Sequence, residues 1–115
     1  MILKKSAFPG GCKPELLVAL IVAEGCYDEI SVNMVVTSMN DSKHKDGSLH
    51  YDGYAADLRT KSVPRPQLHD LVADIKDSLP DCYDVILESE AQAQEHIHLE
   101  FDVVKAAKMA APQIA

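Results

Sequence analysis

The chain is poor in cysteine, in basic residues and in long apolar runs, and each shortage removes a class of protein. There are three cysteines, Cys12, Cys26 and Cys82, and no Cys-x-x-Cys pair. An odd count without that spacing argues against a disulfide framework and against a cysteine-built zinc site. It reads as reduced thiols in a protein made inside the cell. Lys and Arg number 11 against 18 Asp and Glu, for a net charge of −7. Such a chain lacks the electrostatic footprint of nonspecific nucleic-acid binding. It also lacks the polybasic character of a protein held to anionic membranes. No apolar run reaches the roughly 20 residues of a membrane span. The segment Met1 to Gly11 has two lysines, but Pro9, Gly10 and Gly11 interrupt it and no apolar stretch with a cleavage site follows. The expectation is synthesis in the cytoplasm without a signal peptide.

What is present suits one folded domain. The chain has 115 residues, 47% hydrophobic and 25% charged, a balance that can bury a core. No repeat or low-complexity linker divides it, so residues 1–115 read as a single domain. Pro14 and Glu15 read as a first helical turn, and Leu16, Leu17, Leu20 and Ile21 continue a helix expected to stop at Gly25. Residues 30–38 begin in alternation, with Ile30, Val32 and Met34 on one side, and predict a strand. The polar run from Met39 to Gly47 predicts a loop. Leu68, Leu71, Val72, Ile75 and Leu79 form one helical stripe that Pro80 ends. The runs 83–88 and 96–101, joined by a polar turn, predict an antiparallel hairpin. Val103 to Ala111 predicts a short terminal helix. Helices and strands do not alternate strictly, which favours α+β.

The chemistry gathers in three places. His96 and His98 are two apart, so a strand turns both to one face, while Ile97, Leu99 and Phe101 occupy the other. Imidazoles and carboxylates are zinc ligands, and a catalytic zinc takes three protein ligands plus water. His98, His50 and Asp57 can supply three. Gly53 reads as a tight turn, and Ala55 and Ala56 as a place of close passage beneath another layer. Taken alone, Asp57 also reads as a turn or cap residue, or as the partner of Arg59.

Ser48, His50, Gly53, Ala55 and Asp57 together spell Ser-x-His-x-x-Gly-x-Ala-x-Asp, and Glu95-His96-Ile97-His98 follows on a late strand. The pair of motifs, in this order, resembles the signature of zinc D-alanyl-D-alanine carboxypeptidases and dipeptidases. These are relatives of the hedgehog domain and, with lysostaphin-type enzymes, form the LAS peptidases. The resemblance covers roughly residues 30–102. It implies a hedgehog/DD-peptidase-like fold, a small antiparallel sheet flanked by helices. It implies that His50, Asp57 and His98 bind zinc and that a water completes the site. Glu95 matches the general base, which takes a proton from that water and passes it to the leaving amine. His96 matches a histidine that assists the transition state. Ser48 is placed as a residue that holds a ligand or a loop. For Glu95 to act beside His98 it must lie before the strand or at a bulge, because along one straight strand the two face opposite sides; otherwise His96 or Glu100 is better placed.

The sequence departs from the pattern at one point. Relatives carry an arginine in the loop after the first strand, and Thr37 to His44 contains none. Lys43, His44 or Asn40 can supply the donor that an oxyanion needs. The expected substrate is a peptidoglycan stem peptide, cut at a D-Ala-D-Ala or L-Ala-D-Glu type bond. The expected enzyme is a monomer of the short phage or prophage kind, reaching the cell wall by a phage route. The alternative is a noncatalytic zinc-binding module, such as a virion component.

Overall fold

The structure is a computed structural model, and it describes residues 1–4, 12–39 and 54–110. Among these residues, three helices and five strands follow in the order β1 (Ile2–Leu3), α1 (Pro14–Glu29), β2 (Val35–Met39), β3 (Ala55–Arg59), α2 (Arg65–Asp77), β4 (Tyr83–Glu88), β5 (His96–Phe101) and α3 (Val103–Ala110). The fold class is α+β, as expected. The strands form one sheet in the order β1-β2-β3-β5-β4. It is mixed rather than purely antiparallel, because β1 runs parallel to β2. The helices α1 and α2 both pack on one face of this sheet, where their apolar stripes meet Ala56, Leu58, Val85, Ile97 and Leu99 in a single core.

Helix α1 starts as expected, with Pro14 in its first turn and Glu15 at the positive end of its dipole. It does not stop at Gly25; it runs on to Glu29. A helical glycine costs about 1 kcal/mol. Burying an aromatic side chain returns roughly 1.5–3 kcal/mol, and Tyr27 lies just beyond, fully buried. Its hydroxyl donates to the Arg59 carbonyl at 2.8 Å, tying α1 to β3. The burial of Tyr27 and Cys26 outweighs the glycine.

The longer helix displaces the strand expected over 30–38. Ile30 caps the helix, and Ser31 turns the chain at a φ of 58°. The N–H groups of Ile30, Ser31 and Val32 donate back to Tyr27 and Asp28 carbonyls. With those donors used, the sheet begins only at Val35. Ile30 and Val32 still reach the core, so their alternation reflects burial and not a ladder.

Strand β3 falls where the sequence predicted a close passage, and Gly53, read as a tight turn, lies outside the described residues. Ala55 and Ala56 are fully buried. Asp57 is neither cap nor turn but the middle of a strand paired on both sides. The hairpin 83–88/96–101 forms with the expected ends. Helix α2 follows the expected stripe, burying Leu68, Leu71 and Ile75.

Candidate metal centre

The sheet face away from α1 and α2 carries the polar side chains. In the ladder Asp57 lies across from His98 and Arg59 across from His96, and on the other flank His96 lies across from Glu88. Side chains two apart on a strand share a face, so Asp57, His96, His98, Glu100 and Glu88 converge. The apolar positions between them, Leu58, Ile97 and Leu99, anchor the same strands in the core. The strands are therefore held from behind while they present polar groups in front.

Asp57, His96 and His98 form a half-buried group that can hold a metal ion. Asp57 Oδ1 is 3.1 Å from His98 Nδ1 and 3.7 Å from His96 Nε2. The remaining ring nitrogens are already engaged. His96 Nδ1 is 2.7 Å from the Gln94 carbonyl, and His98 Nε2 is 2.8 Å from Glu100 Oε1. A carbonyl or carboxylate acceptor on one nitrogen fixes the tautomer and turns the other lone pair toward an ion. Both imidazoles are aimed in this way, at Asp57.

The electrostatics also favour a cation. Burial works against the charged form of His98, but the hydrogen bonds to Asp57 and Glu100 prevail and push its pKa up to about 10. His96 behaves alike: burial opposes its charge, and Gln94, Asp57 and Glu88 raise its pKa above the usual value. Three carboxylates around two imidazoles hold an excess of negative charge, which protons or a divalent ion can offset.

Glu95 immediately precedes β5, the position that its proposed role requires. Its carboxylate, however, is clamped. Arg65 donates from Nη1 and Nη2 to its two oxygens at 2.7 and 2.9 Å. The Ala91 N–H donates at 2.7 Å, and the buried Thr60 hydroxyl donates as well. The bidentate Arg65 bond is the largest cause that holds its pKa down at about 2. A carboxylate so stabilised accepts protons poorly while the clamp stands.

Asp57 and His96 border a cavity of about 720 Å³, whose wall also carries Lys4, Arg59, Lys61 and Arg65. Arg65, Glu95 and the hairpin loop from Ala91 to Gln94 also line it.

The structure thus brings together Asp57, His96, His98 and, nearby, Glu95. His50, Ser48, Lys43 and His44 lie outside the described residues. Sequence reasoning placed His96 beside the metal rather than in the group, and it missed Glu88 and Arg65. Glu100 continues the alternation His-x-His-x-Glu, a signal that was readable. Glu88 could be found by counting the hairpin register from its symmetric strands. Arg65 carries no sequence signal, because its role depends on how α2 meets the hairpin. Comparison with protein-family models and with curated proteins gave no match.

Proposed function

We propose that the protein is a zinc-dependent peptidase of the D-alanyl-D-alanine carboxypeptidase type, with the corresponding hedgehog-like fold. The observation that carries the reading is a two-histidine, one-carboxylate group at the edge of a cavity of about 720 Å³. Two imidazoles and a carboxylate suit zinc, and the volume suits a short peptide. Asp57 and His98 hold the ion, together with His50 as the family resemblance implies. His96 serves as a further donor or as the group that steadies developing charge. Zinc, when bound, supplies a Lewis acid and an activated water. Glu95 is the matching base, and it works as one only after Arg65 lets go. The basic wall of the cavity in an otherwise acidic chain fits a substrate that carries carboxylates, as peptidoglycan stem peptides do.

The clamp on Glu95 favours a second reading, a metal-binding module without turnover. Two measurements separate the readings. Elemental analysis of the wild type beside His50→Ala and His98→Ala tests the metal: about one zinc per chain, lost in the variants, is expected. Hydrolysis of a synthetic stem peptide by the zinc-loaded protein then supports the peptidase. Zinc binding with no hydrolysis of any stem-peptide bond supports the module.

A further inference from the structure

Glu88 is the last residue of β4 and pairs with His96 across the ladder. Its Oε1 lies 2.9 Å from His96 Nε2 and 3.9 Å from His98 Nδ1. Those are the same two nitrogens that face Asp57 Oδ1, at 3.7 and 3.1 Å. Oxygens from the two strands that flank β5, Asp57 Oδ1 and Glu88 Oε1, therefore approach the same pair of ring nitrogens. A tetrahedral zinc with donors about 2.0–2.1 Å away holds them roughly 3.3–3.4 Å from one another. The measured separations fall on both sides of that value.

We infer that Glu88 is a fourth protein donor to the metal held by Asp57, His96 and His98. The inference rests on the metal-centre reading above and deepens it. The other nearby carboxylates are placed differently. Glu100 accepts from Nε2 of His98, the nitrogen turned away from Asp57, so it orients the ring. Glu95 is occupied by Arg65, Thr60 and Ala91. Glu88 alone among the three approaches the nitrogens that face Asp57.

This assignment has a functional consequence. Counted with Asp57, His96 and His98, a bound Glu88 fills the fourth position, the one that His50 or a water would otherwise take, whereas an open position is needed for water or substrate. The Glu88 side chain is 46% exposed, and its backbone is fixed by the β4–β5 ladder. It can swing into solvent without disturbing the sheet. Glu88 thus acts as a gate: bound, it closes the centre; withdrawn, it leaves a position open beside the cavity.

Cobalt(II) is the probe, because its visible absorption reports coordination number, and zinc competition against a chelating indicator gives affinity. The wild type is expected to bind one cobalt with the intense absorption of a four-coordinate site. Glu88→Gln should bind at least ten-fold more weakly with a changed spectrum, and Glu88→Asp should fall between. Glu90→Gln, on the same hairpin but paired with His69, should match the wild type. Circular dichroism of each metal-free variant checks that the fold persists. A Glu88→Gln protein with wild-type affinity and spectrum overturns the inference and leaves the metal centre standing. A wild type that takes up neither cobalt nor zinc overturns the metal-centre reading, and this inference falls with it.

Discussion

At the scale of single residues, the centre depends on which nitrogen each imidazole presents. His98 offers Nδ1 toward Asp57 only because Glu100 accepts from Nε2. Replacing such an outer partner costs about 10–100-fold in metal affinity. Glu100→Gln is therefore expected to weaken zinc binding by that factor, and His98→Ala to abolish stoichiometric binding; dialysis against a zinc buffer measures both. Glu95 gives a different signature. Its pKa is lowered to about 2 from an ordinary 4.5. A depressed carboxylate adds stability that is full above the unfolded pKa and is lost as pH falls through the folded one. In the metal-free protein, the stability advantage of the wild type over Glu95→Gln should shrink between pH 4.5 and 2, as read by urea melts at several pH values. Equal loss in both proteins over that window would remove the clamp from the account. His96 and His98 were readable in the sequence because strand alternation puts both on one face, and Asp57 only through the motif it shares with His50. Glu88 was readable only by counting the hairpin register, and Arg65 was not, because its contact with Glu95 is set by how α2 packs on the hairpin.

At the scale of elements, what the sequence revealed depended on whether local pattern and burial agreed. Strand β5 shows clean alternation and β4 carries the apolar run Val85-Ile86-Leu87, each bounded by polar turn residues, and both ends fall where expected. Strand β3 has no such pattern: Ala55 and Ala56 are small, and their burial comes from the strands on either side. Helix α1 passes through Gly25 because Cys26 and Tyr27 are buried beyond it. This makes Gly25 a local weak point. It is exposed, and a Cβ added there meets nothing within 4 Å. Gly25→Ala is expected to stabilise the protein by about 0.5–1 kcal/mol through reduced chain entropy in the unfolded state. The clamp links elements too, since Arg65 opens α2 while Glu95 immediately precedes β5 and Ala91 lies in the hairpin loop at a φ of 63°. Arg65→Ala should loosen that loop, raising amide exchange across residues 89–95 while leaving the α1 core protected.

At the scale of the whole molecule, the metal-centre reading ties stability to metal loading. The chain carries a net charge of −7, and part of that negative charge is concentrated where Asp57, Glu88 and Glu100 meet around the histidines. A divalent ion there would neutralise like charges that the fold otherwise holds together with a proton on His98, whose pKa is pushed up to about 10. Anything that binds the folded state alone stabilises it by mass action, by about 4 kcal/mol at a free concentration a thousand times the dissociation constant. For a domain near 100 residues that corresponds to a rise in melting temperature of roughly 15–30 degrees. Zinc should therefore raise the melting temperature of the wild type by that amount, and a chelator should reverse it. Magnesium, which prefers an all-oxygen octahedral shell, should have little effect at the same concentration. His98→Ala should show no zinc shift at all. A wild type whose melting curve is indifferent to zinc would mean that protons alone satisfy the carboxylates around these histidines, and the sheet face would then be a charge network without a metal.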